Sequence, residues 1–360
     1  MREDIQQKQI DHAQNVIQDF EVARKRRTYW EGLWQDAYDY ALPQRGDFLF
    51  SSNPGARKGQ KVYDATAMDA ADQLAASLLG NLTPTWSQWF GLKPGTEIGD
   101  EDANKLAPIL DKAAKVIQDH FDRSNLAVEI HQCYLDLVVG GTASLYFQEA
   151  DPGEFSAFKF SAMPLSQIGF EEGDGGYLDS TYRMTKMRLE TLRKRYPSAD
   201  VPPKVIQDGF KDPHEKFTVL EAIKPNGLSF EYSAILNEEG IQETVLMRSQ
   251  FDTSPFINFR WVKSPGEIYG RSPVMKALPD IKTANKVVEL ILKNASIAVT
   301  GIWQADDDGV LNPANIELRP GTIIPKAIGS KGLQALDMPG RFDISEIVLE
   351  RLQGHIRHAL

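Results

Sequence analysis

The sequence predicts an α+β fold: helices, then a small antiparallel β-sheet or barrel, then long helices flanking a short irregular segment. Three observations carry this. Apolar residues recur at helical spacing through 1–141. Short β-rich runs, parted by turn residues, fill 142–262. Helical spacing returns over 272–300 and again from residue 343. The 360 residues suit about two domains of ordinary size.

The first helix, 5–41, sets Ile10, Val16, Ile17 and Phe20 at helical spacing, then Trp30, Trp34 and Tyr38 at four-residue steps on one face. Leu42-Pro43 stops it, because the residue before a proline avoids the helical region. Residues 44–61, with Gly46, Pro54, Gly55 and Gly59 among Arg57, Lys58 and Lys61, read as a mobile loop. A second helix, 64–79, takes Asp64 or Thr66 as its cap and carries the stripe Met68, Ala71, Leu74, Ala75 and Leu78. The aromatic segment Trp86, Trp89, Phe90 reads as core rather than as a binding surface. Helices follow over 100–122 and 127–139, the latter stopped by Gly140-Gly141.

Strands are expected at 144–148, 155–160, 176–184, 217–223, 228–236, 243–250 and 256–262, with a helix at 186–195 among them. The helix 272–300 has Pro273 in its first turn, where proline is tolerated; Pro279 should kink it or mark its true start. Gly and Pro punctuate 301–341. A final helix opens at Asp343, with Glu346 completing a capping box, and carries Ile344, Ile347, Val348, Leu352, Ile356 and Ala359. It reaches Leu360 without a stop signal, which suggests that the natural chain continues.

Lys and Arg number 40 against 50 Asp and Glu, a net charge of −10. An acidic balance argues against tight coating of nucleic acid, though not against a local basic patch. The lone Cys133 allows no internal disulfide and points to a reducing compartment. No apolar run reaches the ~18 residues of a membrane span, and residues 1–8 lack a signal-peptide core. Enzyme signatures are missing. Gly55 to Lys61 lacks the ending of a phosphate-binding loop, and no nucleophile elbow occurs. Cys133 and His131 do not share a helix face, so Cys133 reads as a structural thiol. Asp306-Asp307-Asp308-Gly309 fails calcium-loop spacing and reads as an acidic turn, while His355 and His358 lack a third ligand. No cofactor or metal is expected.

Several segments together resemble the portal protein, or head-to-tail connector, of short-tailed (podovirus) bacteriophages. The first is Trp30…Trp34…Tyr38-Asp39-Tyr40-Ala41-Leu42-Pro43-Gln44-Arg45. The second is Tyr63-Asp64-Ala65-Thr66-Ala67, then Leu74 to Leu78, Leu82-Thr83-Pro84 and Trp89-Phe90-Gly91-Leu92. The third is Phe259-Arg260-Trp261, then Gly266-Glu267-Ile268-Tyr269-Gly270-Arg271-Ser272-Pro273 and Ala277 to Lys282. The resemblance supplies no catalytic residue. It implies a twelvefold ring at one capsid vertex, around a channel for double-stranded DNA. The terminase motor docks during packaging and tail proteins replace it, so the implied location is the virion, with assembly in the host cytoplasm. Residues 1–262 would be the wing, helical to 141 and β-rich beyond. Residues 263–301 would be linker and first stem helix, 302–341 the clip, and 342–360 the start of the second stem helix. The family's C-terminal crown and channel loop are not in the sequence.

Lys282, Lys286 and Lys293 share one face of the 272–300 helix with Asn285 and Glu289. That face reads either as channel-facing, attracting phosphate without reading sequence, or as a solvated face. Arg24-Lys25-Arg26-Arg27 reads as a solvated helix end or an inter-subunit contact. In the clip, Trp303, Ile316 and Ile323 belong to a stretch too short to build its own core, so neighbouring subunits or docking proteins should cover them. The other reading is a nucleic-acid-processing enzyme or scaffold whose active part lies in a missing C-terminal segment.

Overall fold

The computed structural model describes residues 2–49, 55–300, 303–304, 334–335 and 342–360. Helix α1, Arg2–Ala41, runs roughly 60 Å at 1.5 Å per residue, long enough to serve two cores. A 3₁₀ turn at Pro43–Arg45 follows. Helices α2 (Thr66–Leu82), α3 (Asp100–Arg123) and α4 (Leu126–Gly140) complete the N-terminal part. Of the two expected caps Asp64 serves, its Oδ1 accepting from Thr66 N (3.4 Å) and Thr66 Oγ1 (2.8 Å), while the cap position itself is Ala65, which makes no side-chain bond.

The β region forms two open antiparallel sheets, and no barrel closes among the described residues. Strands β1 (Thr142–Glu149), β2 (Phe158–Met163), β3 (Ile168–Glu171), β4 (Ser180–Arg188), β5 (Lys216–Asn226), β6 (Ser229–Leu236), β7 (Thr244–Phe251) and β8 (Phe256–Arg260) divide as β2-β1-β8 and β3-β4-β5-β6-β7. Two short helices, α5 (Leu189–Arg195) and α6 (Pro203–Lys211), lie between β4 and β5 in sequence. Helix α7, Pro273–Thr300, continues through Pro279, so that proline is not its start. Short strands β9 (Trp303–Gln304) and β10 (Gln334–Ala335) pair antiparallel, and α8 runs Phe342–Ala359.

Strand periodicity assigns the faces of the larger sheet. Leu220 and Ala222 of β5 meet Ala13, Val16 and Phe20 of α1. Phe217 and Val219, one residue out of phase, meet Leu189, Leu192 and Val205 of α5 and α6. Glu221 shares this second face and is buried. It accepts from Arg195 (2.5 Å), Tyr196 OH (3.0 Å), Tyr232 OH (2.7 Å) and Arg183 (3.3 Å), so its desolvation is offset by four donors. The smaller sheet packs Ala143, Leu145 and Phe160 on α2 and α4.

The C-terminal half of α1 anchors the central core. Trp34 and Tyr38 are fully buried among α2, α4, α7 and Tyr269. Trp34 Nε1 donates to Gly140 O at 3.1 Å, and its ring meets Tyr269 edge-on at 4.8 Å. The aromatic segment departs from expectation. Trp89 and Phe90 rest on Phe121, but Trp86 is 76% exposed and is not core. It follows α2 on an irregular stretch that no element covers on its outer side.

Candidate functional site

Helix α7 is seated by a backbone joint. Gly141, at φ +75°, ends α4 in the left-handed region that glycine enters without strain. Trp261 N donates to Gly141 O (2.9 Å), Gly270 N to Thr142 Oγ1 (2.9 Å) and Ser272 Oγ to Val139 O (2.8 Å). Ser272 Oγ then accepts from Met275 N at 2.9 Å, holding the first turn of α7. A Cβ on Gly141 would fall 2.3 Å from Gly270 O, and one on Gly270 2.2 Å from Gly141 O. Only two glycines allow this approach.

The second tie joins the 61–66 loop to both C-terminal helices. Asn285 is buried. Its Oδ1 accepts from Tyr63 N (2.6 Å) and Asp64 N (3.1 Å), and its Nδ2 donates to Lys61 O (2.8 Å). Asp64 Oδ1 accepts from Thr66 Oγ1 (2.8 Å) and from Gln353 Nε2 of α8 (3.1 Å). A third tie closes on Asp136 of α4, which accepts from Tyr38 OH (2.9 Å) and pairs with Arg45 (2.8 Å). Burial raises the Asp136 pKa, and Arg45 opposes that shift.

The three lysines do not form the uniform face expected of them. Asn285 lies between them in sequence but turns into the body. Lys282 donates to Asp36 of α1 at 2.6 Å. Lys286 and Lys293 project outward, 61% and 62% exposed, and both hold Glu289. Their hydrogen bonds lower the Glu289 pKa, and Glu289 raises that of Lys293. Leu290 and Leu292 are exposed beside them, as are Ile347 and Val348 of α8. The last two were expected in the apolar stripe, of which Ile356 is buried and Leu352 packs on the core.

The backbone of Trp303 pairs with Ala335; its side chain lies outside the described residues, as do Ile316, Ile323, Ile344 and Asp306 to Gly309. The capping contact expected at Asp343 also lies outside them. Cys133 is buried against Ser144 O at 3.5 Å, and burial pushes its thiol pKa up. His355 and His358 are exposed. Among the described residues, no group of three or more His, Cys, Asp or Glu could hold a metal. No helix there is long and apolar enough to cross a membrane.

The three sequence segments singled out above thus supply the three ties. The glycine joint takes Trp261, Gly270 and Ser272 from them and the third tie takes Tyr38 and Arg45, whereas Gly141 and Asp136 lie outside them. Asn285 was missed, although a lone Asn among lysines on a helix was a usable signal.

Comparison with known proteins agrees over almost the whole chain. The family described as "Bacteriophage head to tail connecting protein" matches residues 13–360. The "Probable portal protein" of Bordetella phage BPP-1 is 25% identical over 273 residues, covering 72% of this chain and 48% of that protein. The portal protein of Enterobacteria phage T3 is 21% identical over 357 residues, and that of Escherichia phage T7 is 21% identical over 350. Each alignment covers 94% of this chain and 63% of the phage protein. The chain therefore spans between about half and just under two thirds of the length of these relatives.

Proposed function

The chain belongs to the bacteriophage head-to-tail connecting proteins, and from that membership we propose that it is a portal subunit. Identical copies, twelve as the resemblance implies, form a ring at one capsid vertex around a channel for double-stranded DNA. The packaging motor docks on the ring, and tail proteins follow it. The role is structural, with no catalytic residue. The observation that carries the reading is the family match, unbroken from residue 13 to 360.

In this reading residues 1–262 are the wing, α7 and α8 are stem helices, and 302–341 are the clip. Trp303, Ile316 and Ile323 then contact neighbouring clips or docking proteins. The geometry supports a stem assignment for α7 and α8. They pair with each other, are tied to the body at one end, and expose Leu290, Leu292, Ile347 and Val348. A pair of helices with apolar residues on its outside is suited to packing against copies of itself. Of the lysines, Lys286 and Lys293 are exposed and in this reading would meet DNA, whereas Lys282 is engaged by α1.

Negative-stain microscopy of the purified full chain tests the reading. Annuli of uniform diameter, with no nucleotide turnover, are expected. A chain that stays monomeric at micromolar concentration overturns it.

A further inference from the structure

The fold splits the basic run of α1. Arg27 turns inward, donating to the carbonyls of Ile168 (3.0 Å) and Ser166 (2.6 Å) and pairing with Glu31 (3.1 Å). Arg24, Lys25 and Arg26 stay exposed. Among the described residues Arg24 reaches only Glu21 at 3.8 Å, Arg26 only Glu171 at 3.9 Å, and Lys25 has no carboxylate partner. Beside them opens a cleft of about 490 Å³, lined by Arg26, Tyr29, Trp30, Ile268 and Tyr269 and by two carboxylates already in ion pairs, Glu172 with Arg260 and Lys263, and Glu267 with Arg271. Tyr29 is 89% exposed at its mouth. Trp30 is held from behind by Arg271, stacked 4.8 Å above its ring.

A complementary feature stands elsewhere on the same chain. The 150–157 loop between β1 and β2 presents Phe155, 90% exposed, on a turn with Asp151 and Glu154. Neither acid is in an ion pair among the described residues. The loop and the cleft lie at opposite ends of β1. At the Thr142 end, Arg260 sits across from Thr142 and donates to Ile268 O, in the cleft wall, at 2.8 Å. At the other end Glu149 pairs with Phe158, and the loop follows. Seven residue steps at ~3.3 Å put roughly 23 Å between them.

A closed ring of identical chains is built on a heterologous contact, in which one patch docks on a different patch of the next copy. We propose that the occupant of this cleft is a second copy of this chain. Phe155 enters between Tyr29 and Trp30, and Asp151 and Glu154 face Arg24, Lys25 and Arg26. Aromatic insertion supplies the anchor, and opposite charges at the rim set orientation. The proposal rests on the ring reading above and goes further, naming a contact that would join neighbours.

Pro152→Cys and Lys25→Cys, exposed neighbours that leave Phe155 and Tyr29 in place, are introduced together and singly, and treated with a short bismaleimide. Cys133 is buried and leaves little background. The double variant should give a denaturing-gel ladder at two, three and more chain masses, and each single variant one band. Mass photometry before the reagent reports whether rings are present. Rings without a ladder overturn the docking contact and leave the ring reading intact. Absence of rings in the unaltered chain overturns the ring reading, and this contact with it. Charge reversal is the second arm. Glu154→Arg and Arg26→Glu should each reduce ring yield several-fold at low salt, and their combination should restore it. Unchanged yield in both singles overturns the proposal.

Discussion

Asn285 satisfies three backbone groups of the 61–64 loop from one buried side chain. Replacing it with Ala strands two amides and a carbonyl, which should destabilise the fold by about 2 kcal/mol or more in urea unfolding. Lys282→Gln, four-tenths exposed and paired with an exposed Asp36, should cost only ~0–1 kcal/mol. Equal effects would mean that the loop tie is unimportant. Helical periodicity gave both residues the same angle but could not say that a loop covers one of them. The same gap explains Trp86, whose aromatic character suggested core although it lies beside Gly80 of α2 with most of its surface exposed. His12 carries a pH effect. Its Nε2 lies 2.8 Å from Ser233 Oγ between α1 and the larger sheet. Burial, then the Arg248 charge, lowers its pKa below 6.5, against the opposing pull of Glu231. A depressed histidine favours the neutral form in the fold. Its contribution is therefore full above pH 6.5 and is lost as pH falls through the folded value. Urea midpoints should decline below about pH 6.5, and His12→Gln should flatten that decline.

Helices α7 and α8 pack against each other while leaving apolar residues outside, Ile347 at 68% exposure being the clearest. Because these side chains are half or more exposed, Leu290→Lys with Ile347→Lys should leave the unfolding midpoint nearly unchanged, within ~0.5 kcal/mol per site. Ring yield by mass photometry should fall sharply. A drop in stability instead would place the two residues in the chain's own core. Elements with strong local signals were legible in the sequence: α1, α4 with its glycine stop, α7, and the β-rich runs of β5 and β6 on either side of the Asn226-Gly227 turn. Strand β3 was not, because four residues around Gly169 carry no alternation, and its pairing with β4 comes from tertiary contact. Helix α6 was not expected: only nine residues long, it opens on Pro202-Pro203, with Pro203 in its first turn. The β-rich segment looked like one sheet or barrel because spacing alone cannot show that β8 leaves its sequence neighbours to join β1.

At the scale of the whole molecule, a net charge of −10 per chain sets how a ring of these chains would treat DNA. Acidic surface repels the duplex, and each lysine facing it adds attraction and drag. Lys286 and Lys293 are exposed cations near the C-terminal end of α7, and sharing Glu289 leaves the trio one positive charge. Twelve copies would give a weakly basic band inside an acidic body, favouring passage over capture. Lys286→Gln with Lys293→Gln keeps helix propensity nearly constant, so rings should form as before. It turns the band acidic, since Glu289 loses both partners. Retention of linear double-stranded DNA by the rings should therefore fall, and fall most at low salt. Screening extends over ~30 Å at 0.01 M but only ~10 Å at 0.1 M. The difference between variant and parent should shrink as salt is raised, in a filter-retention titration at three ionic strengths. Failure to form rings would put these lysines at subunit contacts. Unchanged retention at every ionic strength would make them a solvated face, and the channel would then have to be lined by other residues.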